Sequence, residues 1–199
     1  MPRDFDFVIF GASGFTGAFI AREISNNYPD KTIALAGRTR AKLEAVSKTM
    51  KTEANGILIA DVSNPESLKN MASRGQVLIN AVGPYRYHGL AVVNACVQAK
   101  THYCDISGEP WFLEKAELDF DSKARENGVY CVSACGFDSI PSDMGIEFTR
   151  RKFAEKFEND KLNAVDCYFL IFCKIKKVYS KNLPNFIKFF TCLSTGTQK

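Results

Sequence analysis

Short apolar runs rich in β-branched and aromatic residues alternate along this chain with longer segments whose apolar residues recur every three or four positions. The first pattern belongs to strands buried on both faces, the second to helices with one buried stripe. Strands are predicted near 5–10, 32–36, 56–60, 76–81, 102–106 and 129–134, with helices near 15–27, 39–50, 64–73, 88–99 and 110–127 between them. Asn64-Pro65 and Ser139-Ile140-Pro141 each set a capping side chain beside an early-helix proline, and Asn127-Gly128 supplies a helix stop. Regular alternation of strand and helix means repeated βαβ units, so the fold class expected is α/β, a doubly wound parallel sheet. In such a sheet ligands bind at the carboxyl ends of the strands, where the strand order reverses.

Beyond the sixth strand the pattern changes. A helix is expected near 142–157, and Glu158-Asn159-Asp160-Lys161 reads as a linker. Ala164 to Ile175 is dense in aromatic and β-branched residues and reads as the first strand of a new sheet, with no partner in this chain. Residues 176–199 are lysine-rich, with Phe186, Phe189 and Phe190 at weak periodicity. The organisation expected is a doubly wound domain over 1–157, then a linker, the start of an incomplete C-terminal extension and a basic tail over 158–199.

The first strand runs straight into Gly11-Ala12-Ser13-Gly14-Phe15-Thr16-Gly17, after which Phe15, Phe19, Ile20 and Ile24 follow at helical spacing. Gly11 lets the chain turn off the strand, Gly14 leaves room for a pyrophosphate against bare backbone, and Gly17 lets the helix lie close on the sheet. The free N–H groups and positive dipole end of that helix favour phosphate. A strand, this glycine spacing and a helix together predict a dinucleotide site formed by Gly11, Ser13, Gly14, Phe15, Thr16 and Gly17.

At the end of the second strand an acid would hydrogen-bond the ribose 2′-hydroxyl of NAD, and this chain has Ala36-Gly37-Arg38-Thr39-Arg40 instead. A guanidinium pairs with a 2′-phosphate through parallel hydrogen bonds, so Arg38 favours NADP. Asp61 and Val62 end the third strand and are candidates to meet the adenine, although Asp61 also fits as a cap for the helix beginning near Pro65. The fourth strand ends Asn80-Ala81-Val82-Gly83-Pro84-Tyr85. There Val82, Gly83 and Pro84 allow close approach of the cofactor and Tyr85 is placed to border the nicotinamide, the plainer reading being a turn with a packed tyrosine. Tyr85, His88 and Asp138 are the weak candidates for catalysis, with helix-start and cap roles as the plain readings of His88 and Asp138.

Those segments, with Asp105-Ile106-Ser107-Gly108-Glu109 and Gly136-Phe137-Asp138-Ser139-Ile140-Pro141-Ser142-Asp143, resemble the saccharopine dehydrogenase family over about residues 4–170. The resemblance implies a Rossmann domain that binds NADP(H), followed in full-length relatives by an α+β domain for substrate and dimerisation. It implies an NADP-dependent oxidoreductase acting by hydride transfer on a small or lipid-like substrate, with location at a lipid droplet, another membrane surface or a mitochondrion. The chain departs from the pattern after about residue 170, so substrate recognition does not carry over, and little turnover is expected of these residues alone.

Composition narrows the remaining choices. The net charge of +4 is a tail effect, because residues 1–173 hold 20 Lys/Arg against 22 Asp/Glu and the later residues hold lysines only. No basic stripe interleaved with aromatics runs through the body, so nucleic acid is not expected as a partner. Seven cysteines without a C-x-x-C pair, with two histidines, argue against a disulfide framework and a metal site and suit a reduced, intracellular compartment. Cys104, Cys131 and Cys135 are expected to be core packing. No cleaved leader and no spanning segment are expected either. Short-chain reductases share the glycine spacing but need a Lys four residues after a Tyr, which no tyrosine here has. A non-catalytic NADP-binding module on a membrane surface or partner stays open as the alternative, since a cationic segment bearing aromatics binds anionic lipid weakly.

Overall fold

The computed structural model describes residues 3–157, 162–172 and 186–193. The chain divides into two compact units, 1–137 and 138–199, whereas the sequence-based boundary falls after residue 157.

In the first unit six strands alternate with five helices: β1 (Phe5–Phe10), α1 (Phe15–Asn27), β2 (Ile33–Gly37), α2 (Arg40–Ser47), β3 (Gly56–Ile59), α3 (Pro65–Ser73), β4 (Gly75–Asn80), α4 (Tyr85–Ala99), β5 (His102–Asp105), α5 (Pro110–Asn127) and β6 (Cys131–Val132). The sheet order is β3-β2-β1-β4-β5-β6 with every pairing parallel. This is the order of the Rossmann fold, with the reversal between β1 and β4.

β2 is apolar and buried at every position, and β1 is so from Val8 to Phe10, because both faces of these inner strands are covered. Ile9, Ile33 and Leu35 face one core with Ala21 of α1 and Leu43 of α2, while Val8, Phe10, Ala34 and Ala36 face the other with α3, α4 and α5. Val8, Ile9, Leu35, Leu43 and Leu78 are fully buried, and each such side chain contributes about 1.5–3 kcal/mol. Gly89 of α4 lies against the Phe112 ring of α5, where an added Cβ would stand 2.3 Å from a ring carbon.

Helix punctuation partly follows the expectation. Asn64 accepts a hydrogen bond from the Ser67 amide at 3.0 Å, and Gly128 ends α5 at φ +66°. α4 starts at Tyr85, three residues before the predicted 88, and β6 is two residues long.

The second unit contains α6 (Ile140–Lys156), β7 (Val165–Phe172) and β8 (Phe186–Leu193). Ser139 is the N-cap residue of α6 but its side chain makes no capping hydrogen bond, unlike the expectation. Within α6 Glu147 accepts from Arg150 and Arg151, and these bonds hold its carboxyl down at about 2. β7 pairs antiparallel with β8 from Val165–Leu193 to Phe172–Phe186. The expectation of an unpaired strand is therefore corrected: Phe186, Ile187, Phe189 and Phe190 have the β-forming composition of a strand even though their periodicity is weak. The predicted linker 158–161 and the remainder of the basic tail lie outside the described residues.

Candidate functional site

β1, fixed between β2 and β4, delivers the chain to the sheet's carboxyl edge, where Gly11 turns it at φ +84°. Only glycine fits this point, because a Cβ would stand 2.8 Å from Val82 Cγ2 and 3.1 Å from the Ala81 carbonyl, in a backbone region L side chains rarely adopt. The Gly11 amide donates to Ala36 O at 2.9 Å and the Gly14 amide to Gly11 O at 2.9 Å, which closes the loop. At Gly17 a Cβ would be 2.2 Å from Gly11 O, so the start of α1 rests directly on the turn. Gly14, at φ −78°, is the N-cap without any side-chain hydrogen bond, and the first turn of α1 carries no acid. The first-turn amides have no intrahelical acceptors, so this N-terminus is positive and open.

A cleft of about 300 Å³ lies over this loop. Gly11, Ser13 and Gly14 form its floor, Gly37 and Arg38 one wall and Val62 its rim beside them. Ala81, Val82, Gly83 and His88 form the opposite wall. All but His88, which belongs to α4, come from the ends of β1, β2, β3 and β4 or just past them, which is the crevice the topology requires. A larger depression of about 670 Å³ lies against α5 and β6, lined by Leu113, Phe120 and Tyr130, but it holds no part of the glycine loop. The smaller cleft has the phosphate-binding geometry and is the functional candidate.

The remaining sequence candidates fall around it. Phe15 and Thr16 are exposed, with the Phe15 ring edge-on to Phe19 at 5.0 Å, and Gly17 is buried under the helix. Asp61 neither caps α3 nor stands free: its Oδ1 accepts from the Ser63 amide at 2.9 Å and the Ser63 hydroxyl at 2.7 Å, and Asn64 does the capping. Those bonds, and then the charges of Arg38 and His88, hold its carboxyl below the usual range. Pro84 follows a cis peptide bond and is the N-cap of α4. Tyr85 is 6% exposed, packs on Phe112 and donates to Asn80 O at 2.8 Å; burial, foremost, pushes its phenol far above the ordinary range. The packed-tyrosine reading describes it. Asp138 is exposed at the start of the second unit.

Cys131 and Cys135 are exposed, contrary to the expectation of core packing, because β6 is a two-residue edge strand. Cys104 is half-buried, and burial raises its thiol to about 12. Among the described residues no group of His, Cys, Asp and Glu is arranged to hold a metal ion.

Two features escaped the sequence reading. One is a buried network at the carboxyl ends of β4, β5 and β6. The fully buried Asp105 accepts from Tyr103 Oη at 2.7 Å and Ser133 Oγ at 2.9 Å on Oδ2, and from the Ser107 and Ala134 amides on Oδ1. Tyr103 Oη also accepts from Asn80 Nδ2, and Asn80 Oδ1 accepts from the Val82 amide. The other is Glu109, which precedes α5 yet hydrogen-bonds the first amides of α4.

The family model of the saccharopine dehydrogenase NADP binding domain matches residues 7–132, which include every cleft-lining residue. A human saccharopine dehydrogenase-like oxidoreductase is 41% identical over 184 residues, covering 85% of this chain and 42% of the human protein. A Caenorhabditis elegans lipid droplet localized protein is 44% identical over 157 residues, covering 75% of this chain and 37% of its own. The chain thus spans less than half the length of these relatives. Among solved structures, apo saccharopine dehydrogenase (L-Glu forming) from Saccharomyces cerevisiae superposes with a TM-score of 0.62 at 21% identity, covering 76% of this chain and 32% of that one, and so agrees in fold. With a matching family model over most of the first unit and relatives above 40% identity, the chain belongs to the saccharopine dehydrogenase family and carries its NADP-binding domain.

Proposed function

We propose that this chain is the cofactor-binding part of an NADP(H)-dependent oxidoreductase that transfers a hydride to or from a small or lipid-like substrate. The observation that carries the reading is the pairing of an open, acid-free α1 N-terminus with an arginine, and no acid, at the end of β2 within one cleft. In this reading the first-turn amides at Phe15 and Thr16 take the pyrophosphate, and the bare Gly14 leaves it room. Arg38 pairs with the 2′-phosphate, and Ser13 and Val62 border the adenosine side of the cleft. Ala81, Val82 and Gly83 offer small side chains to the nicotinamide half.

The bound cofactor supplies the hydride. The chain's part is to orient it and to exclude water from one side of it. Of the three residues considered for proton transfer, His88 is the one that lines the cleft, since the Tyr85 hydroxyl is held by Asn80 O. Substrate selection is assigned to the part of the relatives' length that the aligned stretch does not span. This reading includes location at a lipid-droplet surface or a mitochondrion, supported by the names of a nematode and a plant relative; among the described residues no helix is long and apolar enough to cross a membrane.

Arg38→Ala is expected to cost about 1.5–3 kcal/mol in NADPH affinity, the worth of a charge-assisted pair, and to leave NADH affinity unchanged. Calorimetric titration with both cofactors checks this. Equal losses for the two, or none for either, would remove Arg38 from the 2′-phosphate site.

A further inference from the structure

Two helices begin at the walls of the cleft, and their N-termini are treated oppositely. α1 starts open, with glycine as its cap. α4 starts closed: Pro84 stands at its N-cap with no side-chain acceptor, and Glu109 reaches across from the β5–α5 loop, 24 residues later, to occupy the position. Its Oε1 accepts from the Tyr85 amide at 2.8 Å and its Oε2 from the Arg86 amide at 2.9 Å. A carboxylate so placed satisfies two helix-start donors and neutralises the positive end of the helix. It also ties the β5–α5 loop to the segment that ends in the cleft wall of Ala81, Val82 and Gly83. Asn80 grips the same segment from its other end, accepting from the Val82 amide at 3.0 Å and from Tyr85 Oη at 2.8 Å.

We infer that Glu109 is a positioning residue for the nicotinamide half of the dinucleotide. By filling the α4 N-terminus it leaves the α1 N-terminus as the one that receives the pyrophosphate, and by its two-pronged grip it fixes the wall against which the nicotinamide ribose lies. The inference rests on the cofactor placement proposed above, in which Arg38 holds the adenosine end. Glu109 itself does not line the cleft, so its effect reaches the cofactor only through residues 81–86.

The test is calorimetric titration of the 199-residue chain and its Glu109→Gln and Glu109→Ala variants with two ligands. One is NADPH; the other is adenosine 2′,5′-bisphosphate, which carries the 2′-phosphate but no nicotinamide. Gln keeps the volume and replaces one acceptor oxygen by a donor that must face one of the two amides, and Ala removes both acceptors. Both variants are expected to bind the bisphosphate as the unmodified chain does. Both should lose about tenfold in NADPH affinity, and the change in nicotinamide fluorescence on binding should shrink with it. Unchanged NADPH affinity in both variants overturns the inference. So does an equal loss for both ligands, which would mean a purely structural role. Failure of the unmodified chain to bind either ligand overturns the underlying cofactor placement, a result the variants cannot mimic.

Discussion

Asp105→Ala is expected to lower the unfolding free energy of the first unit by about 3 kcal/mol or more, because each buried donor left without an acceptor costs about 1–3 kcal/mol. Four donors lose their partner at once: the Tyr103 and Ser133 hydroxyls and the Ser107 and Ala134 amides. Ala134 is also held at φ +59°, a region non-glycine residues adopt only when their surroundings insist, and its amide bond to Asp105 is part of that insistence. Asp105→Asn should be far milder. The two amides fall on Oδ1 and the two hydroxyls on Oδ2, so an asparagine can keep its oxygen toward the amides and turn its NH₂ toward hydroxyls that are free to accept. Urea unfolding of the two variants checks the ordering. If they lose equal stability, or if the alanine costs little, the network does not hold the strand ends together.

The same network fixes the behaviour at high pH. Burial, and after it the Asp105 charge, raises the Tyr103 phenol far above its ordinary value of 10.0. The unfolded chain therefore ionises first: stability is complete below pH 10 and falls as the pH rises beyond it. Tyr85, raised by burial in the same way, adds to this. Phenolate absorbance from these two residues should appear only with unfolding, and its appearance in the folded protein would contradict their burial.

Gly14→Val is expected to abolish NADPH binding while the fold survives. The φ of −78° is open to any residue, and the nearest atom to an added Cβ is Gly11 O at 3.2 Å, a contact the loop absorbs with a small shift. The branched side chain would then stand where the pyrophosphate approaches the helix start. Circular dichroism shows whether the fold is retained and titration shows whether the cofactor still binds. A folded Gly14→Val protein with full affinity would mean that the phosphates lie elsewhere. Gly17 provides the contrast, since a Cβ only 2.2 Å from Gly11 O forces helix and turn apart, so substitution there damages the fold as well as the site.

These effects also show which parts of the molecule the sequence makes legible. The inner strands and the glycine loop follow from local patterns, because a stretch buried on both faces, such as Ile33–Gly37, must be apolar and a turn at φ +84° must be glycine. The cleft residues Arg38, Val62 and Gly83 follow in turn, since each stands a residue or a few past the end of a strand whose place in the sheet is set by topology. What stayed hidden depends on pairing across the chain. Glu109 has the spacing of a cap for α5, yet its carboxylate serves α4, whose own cap is a proline and so cannot. Asp105 is an acid at a strand end, like Asp61, and nothing local says that one is sealed among four donors while the other meets Ser63 at the rim. Tyr85 belongs to a motif expected to face a cofactor, but the helix begins at Tyr85 itself and the ring packs in the core against Phe112. The pairing of β7 with β8 was hidden for a similar reason: strand partners are set by contacts distant in sequence, and a lysine within β8 blurs its alternation.

The most direct measurement is calorimetric titration of the unmodified 199-residue chain with NADPH and NADH side by side. An arginine and no acid at the end of β2, above an open helix N-terminus, predicts that both bind in the same cleft and that NADPH binds tighter by about tenfold or more. Equal affinity for the two, or binding of neither, would contradict the assignment of this cleft as an NADP site.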